Sequence, residues 1–87
     1  MQVRVDINKL NSGRIQTAVF RANQSTGSVR AYPSQNEAKT VLLGLGINAV
    51  TIENQLKLLS EIGPTELLHF GLLEIDDDIL HAHGFRP

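Results

Sequence analysis

The first residues of the chain alternate regularly between apolar and polar side chains. Val3, Val5 and Ile7 share one side of an extended chain, and the residues between them are polar. A period of two with β-branched residues is typical of a strand that buries one face and exposes the other. The pattern therefore predicts a half-buried strand over residues 2–8.

Two further extended segments follow, separated by polar loops. Residues 11–13 form a polar group that ends in glycine and suits a hairpin loop. We expect a second strand over residues 14–22, a loop over residues 23–27 and a short third strand over residues 28–32. Pro33 ends the third strand because it has no backbone N–H for a ladder.

The hydrophobic period changes to that of a helix after the third strand. Ser34 and Glu37 form a capping box, in which the hydroxyl and the carboxylate can each satisfy a backbone N–H at a helix start. Apolar residues then recur at helical spacing, and Gly46 is predicted to end this helix in the left-handed conformation. A second amphipathic helix is predicted over residues 51–62, ended by Gly63 in the same way.

The C-terminal segment fits two kinds of structure. Its large apolar residues have helical spacing, but Gly71 interrupts them, and residues 67–75 would also serve as a buried strand. We favour the extended form, although the choice between strand and helix over residues 65–75 is left open. Asp76 would then cap a short helix over residues 77–83, which a glycine closes.

Together these patterns predict a single α+β domain that spans residues 1–87. The predicted order is β-β-β-α-α-β-α, with a mainly antiparallel sheet of three or four strands and two main helices packed on one face. The composition agrees, since 87 residues, of which 41% are hydrophobic and 20% charged, are ordinary for one globular domain.

Cysteine and long apolar runs are both absent from the chain. The lack of cysteine excludes disulfides, thiolate metal sites and cysteine nucleophiles. The N-terminus has no signal-peptide pattern, and no apolar run approaches the ~18 residues of a membrane span. We therefore expect a cytoplasmic protein with no membrane partner.

Charge is distributed unevenly along the chain, although the net charge is only −1. Residues 1–40 carry six Lys or Arg against two Asp or Glu, which gives +4, and residues 41–87 carry two against seven, which gives −5. Such asymmetry bears on association rather than on the fold. It is the clearest functional indication in the sequence.

One segment matches the dinucleotide-binding pattern G-x-G-x-x-G/A. Gly44 and Gly46 supply its glycines, and Asp76 is a weak candidate for the acidic residue that binds a ribose. The motif requires a preceding strand, however, whereas the capping box at Ser34 predicts a helix there. Asp76 also lies 32 residues beyond Gly44, where about 20 are expected. We therefore predict no cofactor and interpret the glycines as helix caps.

Histidines and aspartates in the C-terminal half form the one cluster of metal-type ligands in the sequence. His69, Asp76, His81 and His83 are weak candidates for a zinc, manganese or iron site. His81 and His83 are two residues apart, however, so on a helix they point in different directions. We predict no metal and interpret the aspartates as first-turn residues stabilised by the helix dipole.

A basic group in the N-terminal hairpin gives the main alternative function. With Phe20 and Tyr32 nearby, such a sheet could bind a phosphate backbone and stack bases. The charges are sparse, however, and the overall pI of about 6.3 is far from the basic footprint of nucleic-acid binders. Nucleic-acid binding is therefore possible but not favoured. Its candidate residues are Arg4, Lys9, Arg14, Arg21 and Arg30.

The sequence carries no clear catalytic constellation. No serine lies in a nucleophile elbow, and no carboxylate pair shows a pattern of burial that would shift a pKa. Enzymatic activity is left open, with the balance against it. The predicted function is a small non-enzymatic interaction or regulatory module, and a small nucleotide- or metal-binding enzyme is a further alternative.

We expect this module to form a homodimer or higher oligomer, or to bind a protein partner. A chain of 87 residues without disulfides has a small core, and association is a usual supplement. The first strand is expected at a sheet edge, where its backbone could pair with a second copy. The C-terminal segment also carries more large apolar side chains than one face of a small domain easily hides. The predicted interaction residues are Leu68, Phe70, Leu72, Ile75 and Ile79.

Overall fold

The computed structural model describes residues 1–64 and 66–87 and has an α+β fold in the predicted element order. The strands are β1 (Gln2–Lys9), β2 (Ile15–Arg21), β3 (Gly27–Tyr32) and β4 (Leu68–Glu74). The helices are α1 (Gln35–Gly44), α2 (Ala49–Leu59) and α3 (Asp77–Ala82). The predicted fold class is confirmed, and the C-terminal segment is a strand followed by a short helix. Thr65, which the prediction for residues 65–75 also covered, lies outside the described residues.

The four strands form one antiparallel sheet in the order β3-β2-β1-β4. β1 is therefore central, and the prediction that it lies at a sheet edge is wrong. The reason is that β4 returns late in the chain and pairs along the side of β1 that β2 leaves free. Val3 accordingly has Arg21 opposite it on one side and Leu73 on the other. The two edges of the sheet are β3 and β4.

The inner face of the sheet packs against the helices. Val3, Val5 and Ile7 lie on this face and are fully buried, as their alternation with polar residues predicts. Burying an apolar side chain of this size contributes about 1.5–3 kcal/mol, so the inner face supplies much of the stability. The rest of the buried cluster comes from β2, from the helices and from the segments that flank them: Ile15, Val19, Ala38, Leu42, Leu45, Ile47, Ile52, Leu56, Leu59, Ile75, Leu80 and Phe85.

α1 begins and ends as predicted. The Ser34 hydroxyl accepts a hydrogen bond from the Glu37 N–H at 3.3 Å, which forms one half of the capping box. At the other end Gly46 has a φ of +91°, and the N–H of Ile47 donates to the carbonyl of Leu42 at 3.2 Å. A left-handed glycine lets the chain turn back onto the last helix carbonyls. The prediction for Gly46 is therefore confirmed.

α2 begins and ends earlier than its apolar stripe predicts. The Asn48 side chain accepts hydrogen bonds from the N–H groups of Val50 and Thr51, so Asn48 is the N-cap. At the other end the hydroxyl and the N–H of Ser60 both donate to helix carbonyls. The helix is thus closed before it reaches Gly63, whose φ is not positive, and the predicted left-handed cap at Gly63 is wrong. No helix in the described ranges is long and apolar enough to cross a membrane.

Candidate functional site

The two faces of the sheet have different surroundings. The helices and the C-terminal segment contribute their buried side chains to the inner face. On the outer face, by contrast, Val29 of β3 is 52% exposed and Leu72 of β4 is 56% exposed. The outer face is therefore the side of the sheet that meets solvent, and it presents apolar side chains there.

The strand register places the outer-face side chains in rows that cross the sheet. In one row Arg4 of β1 lies between Phe20 of β2 and Leu72 of β4. The Arg4 guanidinium lies 5.0 Å from the centre of the Phe20 ring, and its Nη2 donates to the Gln24 carbonyl at 2.8 Å. Arg4 thus makes a cation–π contact and a loop contact, so its charge is used within the protein.

The next row contains a hydrogen-bonded carboxylate and imidazole. Oδ1 of Asp6 lies 2.6 Å from Nδ1 of His69, which β4 brings opposite β1. The Asp6 side chain is only 11% exposed, whereas that of His69 is 67% exposed. A carboxylate at Nδ1 orients the imidazole and leaves the rest of the ring at the surface. Sequence analysis missed this pair because its members are 63 residues apart and only the pairing of β4 with β1 joins them.

The edge formed by β4 is irregular and partly covered. Its register with β1 shifts between Arg4 and Asp6, which is a bulge, and Gly71 has a φ of +81° at this point. The carbonyl of His69 accepts a hydrogen bond at 2.8 Å from Nε2 of Gln55, which projects from α2. Bulges and covering groups are the devices by which edge strands avoid pairing with further strands.

The edge formed by β3 is regular, and the ladder identifies its outward-facing backbone groups. The Ala22 N–H donates to the Gln2 carbonyl at 3.1 Å, so the even-numbered residues of β2 bond to β1. The odd-numbered residues of β2 therefore bond to β3, where they meet Ser28, Arg30 and Tyr32. The backbone groups that point away from the sheet, and to which no described residue bonds, belong to Gly27, Val29 and Ala31.

The structure places the predicted interaction residues on different sides of the protein. Leu72 lies on the outer face, and Ile79 of α3 is 38% exposed. Leu68 and Phe70 are half-buried and pack against the core, and Ile75 is buried within it. The exposed apolar surface of the C-terminal segment is therefore limited to Leu72 and Ile79 among these five residues.

The basic residues of the hairpin do not share one surface. Arg4 projects from the outer face, and Arg14 lies in the turn before β2. The other three occupy inner-face positions of their strands: Lys9, Arg21 and Arg30. The structure therefore distributes these charges over both faces and one end of the sheet.

The two aromatic side chains considered for base stacking are also separated. Phe20 lies on the outer face beside Arg4, whereas Tyr32 lies opposite Ile15 and packs against the core from the inner side. A stacking platform needs its rings on one accessible face. The structure does not bring these two rings together.

The glycines of the dinucleotide-like segment lie at the end of a helix. Gly44 is the last residue of α1, and the preceding strand that the motif requires is replaced by that helix. The imidazole of His83 occupies the space that a Cβ at Gly44 would need, so this glycine allows α3 to approach α1. Asp76 stands at the N-cap position of α3, without a side-chain capping bond. The residues thus have a packing role that the motif does not describe.

The four metal candidates are likewise divided. His69 bonds to Asp6 on the outer face, whereas Asp76, His81 and His83 lie at the two ends of α3. Within the described residues no group of three or more His, Cys, Asp or Glu side chains could hold a metal ion.

A groove of about 410 Å³ lies between α1 and α2. Its lining includes Lys39 and Glu53, and the Lys39 Nζ donates to Glu53 Oε1 at 2.7 Å. This bond, together with the ammonium charge, lowers the pKa of the Glu53 carboxyl. These two charges are therefore paired with each other rather than directed at a ligand.

Comparisons with known proteins give no relative from which a function could be transferred. No protein-family model, no curated protein and no solved structure matches the chain. The outer face of the sheet and the free edge of β3 are therefore assigned as the candidate site from their own geometry.

Proposed function

We propose that the protein is a small non-enzymatic interaction or regulatory module that associates with itself through its sheet. The observation that carries this proposal is the outer face, where Val29 and Leu72 are each more than half exposed. A solvated face of an antiparallel sheet is normally polar, with its apolar residues directed at the core. Val29 lies on β3, next to the free strand edge, whereas Leu72 lies on β4 at the other side of the sheet. An exposed apolar side chain beside a free strand edge is typical of a surface that pairs.

The polar groups around this surface support a binding role rather than catalysis. Arg4 is held by Phe20 and the Gln24 carbonyl, and Asp6 is held by His69. A catalytic site would need a nucleophile or a second charged group free to meet a substrate beside such an imidazole.

The serines that bond locally also support this interpretation. Ser34 accepts from the Glu37 N–H as a helix cap, and the Ser60 hydroxyl donates to a helix carbonyl. Ser12 accepts from the Arg14 N–H in the turn before β2. Their hydroxyls therefore stabilise turns and helix ends.

The distribution of charge supports association that has a preferred orientation. The N-terminal half carries +4 and the C-terminal half −5, from the same counts of Lys, Arg, Asp and Glu as above. Complementary charges orient partners and raise association rates, while apolar burial supplies most of the affinity.

Sedimentation equilibrium over a wide concentration range tests this proposal. We expect the wild-type mass to rise above the 9.6 kDa of one chain. Val29→Asp and Leu72→Asp place a charge on the outer face, and at least one of them should return the protein to monomer. The matched control is Val50→Asp, because Val50 is 63% exposed on α2, away from the outer face of the sheet.

Two outcomes would overturn the proposal. A wild-type protein that stays at 9.6 kDa at high micromolar concentration has no self-association to explain. Association that Val50→Asp weakens as much as both outer-face variants do would place the interface elsewhere.

A further inference from the structure

The free edge of β3 is suited to pairing with another strand. Its outward-facing N–H and C=O groups belong to Gly27, Val29 and Ala31, which lie on a regular strand without a bulge. Unpaired groups on an edge strand are a template for a further strand.

We infer that β3 pairs antiparallel with β3 of a second copy of the chain, with Val29 opposite Val29. This inference rests on the proposed self-association and names its interface. An odd-numbered residue of one copy can lie opposite only an odd-numbered residue of the other, since the outward-facing groups of one copy must bond to those of the other. The possible registers are therefore few.

Charge selects among these registers. Sliding one strand by two residues from the Val29-centred register would set Arg30 directly opposite its own copy, and like charges in that position are unfavourable. Centring the pair on Val29 sets Arg30 opposite Ser28 and Gly27 opposite Ala31. This register also forms up to about six N–H···O bonds, because each of the three outward-facing residues exchanges two with its opposite number.

The occupant is a second copy rather than an unlimited series of strands because the remaining edges are protected. A β3–β3 pair uses both free edges and leaves β4 at each end of an eight-stranded sheet. β4 carries the bulge at Gly71 and the hydrogen bond from Gln55 to the His69 carbonyl. Assembly therefore closes at two copies, as a two-fold symmetric interface does.

Disulfide trapping tests the register directly, since the chain has no cysteine of its own. In Val29→Cys the two Cα atoms would be about 5.5 Å apart, within the range that a disulfide spans. In the matched control Arg30→Cys they would be more than about 7 Å apart, which a disulfide does not span. We expect a covalent dimer under mild oxidation for Val29→Cys and none for Arg30→Cys. A mixture of Ser28→Cys and Arg30→Cys chains should form the mixed dimer.

The outcomes separate this inference from the proposed function. A wild-type dimer in sedimentation with no crosslink in Val29→Cys, or with a crosslink in Arg30→Cys alone, overturns the β3 register and leaves self-association standing. A wild-type monomer overturns both. Both positions are exposed at the sheet edge, and a circular dichroism spectrum like that of the wild type shows that each variant is folded.

Discussion

The two edges of the sheet present their backbones in opposite ways. β4 is interrupted by a bulge at Gly71, and Gln55 donates to its outward-facing His69 carbonyl. β3 is regular, and its outward-facing groups meet no described residue. One sheet thus protects one edge and leaves the other available, which is the pattern expected of a module that pairs once and then stops.

The elements beneath the sheet explain how β3 stays ordered without a covering group at its edge. α1 lies against β2 and β3, and the C-terminal segment continues below the same side. Nε of Arg21 donates to the Pro87 carbonyl at 3.1 Å, and Gly84 lies against the Arg30 side chain. β3 is therefore supported from its inner face rather than from its edge.

Removing that support should have the largest effect. Phe85 is fully buried in the core, so Phe85→Ala should lower the free energy of unfolding by about 3–5 kcal/mol. Chemical denaturation measures this loss. Its neighbour Arg86 is exposed, and Arg86→Ala should stay within about 0.5 kcal/mol of the wild type. Similar small losses for both variants would show that the C-terminal segment does not anchor this side of the sheet.

The bulge on the protected edge should be the next most sensitive feature. Gly71 has a φ of +81° with open space around its Cα, so Gly71→Ala should cost about 1–2 kcal/mol through backbone strain alone. Gly63→Ala is the matched control, because Gly63 has no positive φ and its nearest neighbour is the flexible Glu66 carboxylate. Thermal unfolding of the two variants should separate them, and equal midpoints would contradict the strained bulge.

The hydrogen bond that covers β4 should have a smaller effect. Gln55→Ala removes the donor to the His69 carbonyl and should lower the free energy of unfolding by about 0.5–1.5 kcal/mol. Asn54→Ala, an exposed position on the same helix, serves as the control. Amide exchange at residues 69–72 should also become faster in Gln55→Ala alone. Unchanged exchange there would mean that Gln55 does not protect this edge.

The smallest effect concerns the single tyrosine, at the end of β3. Burial raises the pKa of Tyr32, and the positive charge of the nearby Arg30 only partly opposes this. The phenolate absorption should therefore appear at a higher pH in the folded protein than after unfolding in denaturant. Because the folded state holds this proton more tightly, stability should fall as the pH rises above the unfolded pKa. A phenolate absorption that appears at the same pH in both states would contradict the burial of Tyr32.

The local parts of the fold follow from the sequence. The alternation that contains Val3, Val5 and Ile7 predicts the buried face of β1, and Ser34 and Gly46 predict the ends of α1. These features depend on residues that are neighbours in the chain. The central position of β1 depends instead on its pairing with β4, which lies more than sixty residues away in the chain.

The candidate site could be predicted only in part, and the bulge is the reason. A period of two would set Leu68, Phe70 and Leu72 on one face of a strand. The register shift at Gly71 instead turns Leu72 outward while Leu73 joins Leu68 and Phe70 against the core. A glycine within a strand pattern was the available signal for this shift.

The availability of the β3 edge can be tested most directly by residue-resolved amide hydrogen exchange at low and high protein concentration. The account predicts that the amides of Val29 and Ala31 exchange freely in dilute protein and become protected as concentration rises. The amides of Leu72 and Glu74, which face outward from β4, should not change. Free exchange at Val29 and Ala31 at every concentration, or protection that rises on β4 instead, would contradict pairing through β3.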